Sequence, residues 1–175
     1  MVGKMSRARP YRLPPTRGAR LAVALLLGAG AVGTEFASVF RSFGAEVTLT
    51  SDGGWALDLS ESINDRALFH LDNAYYVPAS RYEGRVAKTH VVSHTAFRGF
   101  GGPQGVIAIE TILGDVARHL GVDPLDVRLR NLYGIDERNV THYQMKVEDN
   151  ILAPLITTLA RTSGYRARRA QLAQW

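Results

Sequence analysis

Between Gly105 and Gly121 the apolar residues Ile109, Ile112, Leu113, Val116 and Leu120 recur at intervals of three and four. That spacing gathers them on one face of an α-helix, and a face of that width must be buried against other elements. Gly121 stands where a helix C-terminus favours a left-handed residue. Asp123-Pro124 reads as the start of a second helix. The Asp carboxylate can accept from an open backbone N–H, Pro fits the first helical position, and Leu125, Leu129 and Leu132 supply an apolar stripe. A third helix is expected over Pro154 to Thr162, stopped by Gly164, with Leu155, Ile156 and Leu159 as its apolar positions. Residues 165–175 are Arg-rich and read as a peripheral helix or a frayed tail.

Strand signals lie earlier in the chain. Glu46 to Leu49 and Trp55 to Leu59 have strand character, Gly53-Gly54 between them is a turn signal, and Arg85 to Ser93 reads as a further strand. Ile63 to Leu71 suits a short helix, and Tyr75 to Val77 before Pro78 is expected to be extended. The fold class is therefore α+β. With 175 residues and 46% apolar content, the chain is long enough to bury a core of its own.

Charge is unevenly placed. Residues 1–50 hold seven of the 21 Lys/Arg and two of the 16 Asp/Glu, so the remaining residues are formally neutral. The basic balance belongs to a leader containing Lys4, Arg7, Arg9, Arg12, Arg17 and Arg20, and no nucleic-acid partner is expected. The absence of cysteine excludes disulfides, thiolate zinc sites and Cys-ligated iron–sulfur clusters on this chain. The five histidines, His70, His90, His94, His119 and His142, show no metal-ligand spacing and read as structural or surface residues.

Residues 1–20, rich in Arg and Pro, read as a disordered leader. Leu21 to Val32 has two readings. One is a secretory signal, because a basic stretch precedes about a dozen apolar and small residues, fewer than the ~20 needed to span a membrane. The other is a buried strand opening a dinucleotide-binding unit, followed by the glycine motif Gly28, Gly30 and Gly33 and a helix-compatible Thr34 to Phe43. The stretch GAGAVGTEFASVFRSFGAEVTL resembles the NAD-binding fingerprint of flavoprotein disulfide reductases such as lipoamide dehydrogenase, over about residues 25–49. Where that family ends its second strand on an acidic residue, this chain has Ser51, with Asp52 one place later and on the opposite strand face. No third strand of a dinucleotide-binding half is expected. The segment 21–49 is thus read as a Rossmann-like β-α-β piece without a working NAD site.

The loop Thr95-Ala96-Phe97-Arg98-Gly99-Phe100-Gly101-Gly102-Pro103-Gln104 combines three glycines, two aromatics and one arginine. Glycines let a backbone approach a ligand, aromatic rings offer a flat wall, and a guanidinium supplies a fixed positive charge. That set suits a planar, electron-rich or anionic group. A plain glycine turn with core phenylalanines and a solvated arginine fits the same residues.

TAFRGFGGPQ is similar to a signature of the xanthine dehydrogenase and aldehyde oxidase family. DGGWALDLSESINDRALFHLDNAYYVP, VDPLDVRLRNLYG and THYQMKVEDNIL resemble that family in the same order, over residues 50–175. The arginine of DRALFH brings the likeness nearest to its xanthine dehydrogenase branch.

The resemblance implies a fragment of a molybdopterin-binding domain. Arg98, with Gly99 beside it, matches the arginine that contacts the molybdenum centre. Phe100 matches the aromatic that packs on a purine, Phe97 belongs in the pocket wall, and Arg66 matches the catalytic arginine that binds the purine and stabilises negative charge on it. His94 stands where the family usually has Asn.

The implied activity is oxidative hydroxylation of hypoxanthine or xanthine, with electrons leaving through 2Fe–2S clusters and FAD to NAD. An iron–sulfur/FAD subunit is the implied partner, and the implied compartment is the cytoplasm. The family's glycine-rich motif with a substrate-facing glutamate and its general-base glutamate have no match here. Glu61, Glu83, Glu110 and Glu148 are not in corresponding contexts, so the expectation is a piece inactive alone. Two alternatives stand beside it: an NAD/FAD-binding module and a non-catalytic truncated or fused product.

Overall fold

The computed structural model describes residues 21–26 and 45–174. The leader 1–20, the glycine motif at 28, 30 and 33 and the helix expected over 34–43 lie outside the described residues. Strand β1 is Leu21–Leu26, β2 is Ala45–Gly54 and β3 is Ser80–Lys88. They form one sheet in the order β1-β2-β3, parallel throughout, with Leu21 opposite Ala45 and Ala45 opposite Ser80. Helix α1, Ser60–Phe69, carries the chain from β2 to β3. The later part is helical: α2 is Gly102–Leu120, α3 Pro124–Asn131, α4 Leu152–Thr162 and α5 Tyr165–Leu172. Segregation of the strands before residue 88 from these four helices is the α+β arrangement. No helix among the described residues is long and apolar enough to cross a membrane.

The core forms where α2 meets the sheet and α1. Val47 and Leu49 of β2 point into it, as alternation along a strand requires. Ile109, Ile112, Leu113 and Val116 meet them from α2, Ala67 from α1, Leu71 and Tyr75 from the stretch after α1, and Val127 and Leu132 from the α3 end. Each large side chain buried this way contributes about 1.5–3 kcal/mol. Leu120, expected on the buried face of α2, is 42% exposed because the helix runs past the core at its last turn. On α4 only Ile156 of the three expected positions packs on the core, while Leu155 and Leu159 stay exposed. Gly121 closes α2 in the left-handed region, and Asp123 caps α3 by accepting from the Leu125 N–H at 2.8 Å.

Three expectations are corrected. Trp55 to Leu59 is not a strand: the chain turns at Gly54, and the alternating residues Trp55, Leu57 and Leu59 are exposed. Alternation alone makes no strand where no neighbouring strand supplies a ladder. The strand expected at Arg85 to Ser93 begins at Ser80 and ends at Lys88, because Lys88 already pairs with the last residue of β2. A third parallel strand does follow β2, through α1, where none was expected. Tyr75 is extended as expected and bridges Leu132 in antiparallel fashion.

Candidate functional site

The glycine-rich loop hangs between two clamps. Upstream, residues 89–94 leave β3 and run back along the end of β2. The Thr89 N–H donates to Gly54 O at 2.9 Å, the Trp55 N–H to Val91 O at 3.1 Å, and the His94 N–H to Gly53 O at 3.2 Å. Gly54 has φ +73°, and a Cβ there would lie 2.4 Å from Val92 O, so this strap can lie so close only over glycine. Asp52 ties the same corner, accepting from the Thr89 hydroxyl at 2.6 Å and the Gly54 N–H at 2.9 Å. Those two donors hold its carboxyl below the usual carboxylate range.

Downstream, the chain closes a tight turn, with the Phe100 N–H on Phe97 O at 2.9 Å and the Gly102 N–H on Gly99 O at 3.0 Å. Gly101, at φ +95°, begins α2 in direct contact with α1: a Cβ there would sit 2.0 Å from Ile63 O. The contact sets the loop against the turn of α1 that carries Arg66. Phe100 is half-buried with φ +47°. A bulky residue in the left-handed region costs of order 1–3 kcal/mol, and such strain is concentrated where a side chain must be aimed.

The structure therefore brings Phe100 and the Arg66-bearing turn together at the base of the loop. Phe97 is 83% exposed, and Arg98, Gly99 and Arg66 are exposed as well. No carboxylate pairs with Arg98 or Arg66 among the described residues. Of the plain glycine turn, the solvated arginine is present in Arg98, whereas Phe97 is not a core residue and Phe100 has a left-handed backbone. The donor set fits an anionic, planar cofactor: Arg98 offers five N–H donors uncommitted to an acid, on a backbone made thin by Gly99. The His94 side chain is not part of the clamp, whose ties run through the His94 backbone. The imidazole stands beside Asp52, Nε2 to Oδ2 at 3.9 Å.

Four residues missed in the sequence belong to this frame. They are Asp52 and Thr89 at the corner, Ser93, whose hydroxyl accepts from the Ala56 N–H at 3.1 Å, and Ser60, whose hydroxyl donates to His94 O at 2.9 Å. The signal that was available is Asp52-Gly53-Gly54, an Asx turn read only as a break. The Glu110 carboxylate is committed within the fold: it accepts from the Tyr75 hydroxyl at 2.5 Å and from Arg128 Nε at 2.8 Å. Burial and this carboxylate raise the Tyr75 hydroxyl pKa well above its ordinary value.

A second polar group lies away from the loop. Buried Asp72 accepts from the Tyr133 hydroxyl at 2.6 Å and lies 3.2 Å from His142 Nδ1. The ring is not aimed for a hydrogen bond, so this is a close approach without one. His142 also lines a cavity of about 330 Å³ with Asp65, Leu68, Phe69, Ser80 and Tyr82. None of Arg66, Phe97, Arg98 or Phe100 lines it.

A family model for the molybdopterin cofactor-binding domain matches residues 41–132. The xanthine dehydrogenase of Calliphora vicina is 39% identical over 140 residues, which is 80% of this chain and 10% of that protein. The xanthine dehydrogenase/oxidase of Gallus gallus is 44% identical over 124 residues, 71% of this chain and 9% of that protein. The chain thus spans about a tenth of the length of these relatives. Among solved structures, the aldehyde oxidoreductase from Desulfovibrio gigas superposes with a TM-score of 0.57 at 27% identity, covering 71% of this chain and 14% of that one. Quinoline 2-oxidoreductase from Pseudomonas putida 86 superposes with a TM-score of 0.56 at 27% identity, over 71% of this chain and 16% of that one.

Proposed function

The chain belongs to the molybdopterin cofactor-binding domain family, and from that premise we propose that it is the purine-facing part of a xanthine dehydrogenase-type molybdenum subunit, acting in oxidative hydroxylation of hypoxanthine or xanthine within a larger assembly. The observation that supports this reading is the pairing of an acid-free Arg98 with a left-handed Phe100, on a loop seated against the Arg66 turn. In the proposed site Arg98 and Gly99 hold the molybdopterin centre, which when bound supplies the oxygen atom and takes up the two electrons. Phe100 stacks on the purine, and Phe97 closes the wall and excludes water. Arg66 donates hydrogen bonds to the purine where negative charge grows, an interaction stronger in the transition state than in the ground state.

The remainder of the reaction belongs to segments outside this chain. FAD and the 2Fe–2S clusters are assigned to a partner subunit or to other regions of the enzyme, with NAD as electron acceptor, consistent with a chain that has no cysteine to ligate iron. The cytoplasm is the compartment that goes with this assignment. Residues 1–20 are proposed as a basic leader, 21–49 as a Rossmann-like fragment or signal-like segment, and 50–175 as a partial molybdenum-binding domain.

The test is molybdenum content and hypoxanthine-dependent dye reduction, on chain purified from a molybdopterin-producing host with its partner segments supplied. Stoichiometric metal is expected with turnover, and Arg66→Ala is expected to lower kcat/KM about a hundredfold with metal retained, the usual cost of one such donor. Absence of metal refutes the reading, and unchanged turnover in Arg66→Ala refutes the role of that residue.

A further inference from the structure

We propose that the Ser60 hydroxyl is the positioning residue of the glycine-rich loop, fixing the Arg98 stem to the same helix that carries Arg66. A serine at the first residue of a helix is ordinarily read as serving that helix's own open N–H groups. Here it does not. The cap position is Leu59, with no side-chain cap bond, and the Ser60 hydroxyl donates instead to His94 O at 2.9 Å, 34 residues away in sequence. Ser60 is 6% exposed, so water does not compete freely for the bond. His94 is also the residue whose N–H is held by Gly53. Both backbone groups of this one residue are therefore engaged immediately before the loop begins.

The consequence is geometric. Downstream, Gly101 is seated on Ile63 of α1, and upstream His94 is seated on Ser60 of α1. Both ends of the loop thus reference one rigid helix, and Arg66 belongs to that helix too. The arch carrying Phe97 and Arg98 cannot shift relative to Arg66 without breaking one of the two contacts. A loop that spans a cofactor and a substrate needs this, since misplacement by an ångström is enough to lose most of the rate. The proposal rests on reading Arg66 and Arg98 as parts of one site, but the positioning itself is measurable without turnover.

The experiment is tryptic nicking of the full chain, comparing cleavage after Arg98 with cleavage after Arg130, an exposed arginine outside the loop. Nicking in the loop follows local opening, and nicking at α3 follows opening elsewhere. Ser60→Ala is expected to speed cleavage after Arg98 about tenfold, the effect of losing one part-buried hydrogen bond, and to leave Arg130 unchanged. Ser60→Thr, which keeps the hydroxyl, is expected to be cut at the unaltered rate. An unchanged rate after Arg98 in Ser60→Ala, equal acceleration at both arginines, or equally fast cutting of Ser60→Thr each overturns the proposal. In a molybdenum-loaded assembly Ser60→Ala is expected to lower kcat/KM for hypoxanthine with metal content unchanged. If the unaltered assembly neither holds metal nor turns over, the functional reading falls while the nicking result still decides the role of Ser60.

Discussion

Two glycines, Gly101 at the N-terminal cap of α2 and Gly114 within it, are expected to answer the same substitution with opposite signs. At Gly101 a Cβ would lie 2.0 Å from Ile63 O and 3.1 Å from Ala67 N, and the backbone is at φ +95°. Placing an alanine in a left-handed conformation costs about 1–2 kcal/mol. Forcing α1 and the start of α2 apart until ordinary contact is restored adds about 1–3 kcal/mol, as overpacking does elsewhere. Gly101→Ala is therefore expected to lose about 3 kcal/mol and to lower Tm by about 10 °C for a chain of this size. At Gly114, in the middle of α2, an added Cβ meets nothing within 4 Å. Gly114→Ala recovers helix propensity and is expected to gain about 0.5–1 kcal/mol, raising Tm by about 3 °C. Thermal unfolding followed by circular dichroism measures both. A Gly101→Ala variant that melts with the unaltered chain would refute the close approach of the loop to α1, and with it the shared location of Phe100 and Arg66.

Tyr133→Phe removes a 2.6 Å hydrogen bond to the buried Asp72 carboxylate and is expected to cost about 2 kcal/mol, read from the urea midpoint. A loss below half that value would mean that Asp72 finds another donor. Burial, with a further push from the Asp72 charge, holds the Tyr82 hydroxyl up at about 12 against its ordinary 10.0, although Ser80 works the other way. A raised folded pKa contributes stability that is complete below the unfolded value and is lost as pH rises through the folded one. Stability is thus expected to fall between about pH 10 and 12, and Tyr82→Phe should flatten that fall without removing it, because Tyr133 is also raised, by burial and by Asp72. An identical alkaline slope in Tyr82→Phe would show that this hydroxyl is not buried.

The helices were legible because each is announced locally. The stripe on α2, its Gly121 terminus and the Asp123-Pro124 start all reappear in place, since periodicity and capping depend on residues within one turn of each other. The loop was legible for the same reason: glycine, arginine and aromatic residues stand within ten positions. The strands were less so. Trp55 to Leu59 alternates and is exposed, and the strand sought at residues 85–93 is displaced, because a strand exists only where a neighbour offers its backbone.

The sequence by itself offered Arg66, Phe97, Arg98 and Phe100 as candidates, through its resemblance to a known family, and announced the main helical segments. Only the tertiary structure decided that Phe100 and the turn of Arg66 share one place, that Phe100 is held left-handed, and that Ser60 serves the loop and not its own helix. Those facts depend on contacts such as Gly101 to Ile63 and Ser60 to His94, made between segments more than thirty residues apart. Local propensity cannot encode a distance that is set only when α1, α2 and the sheet close on a common core.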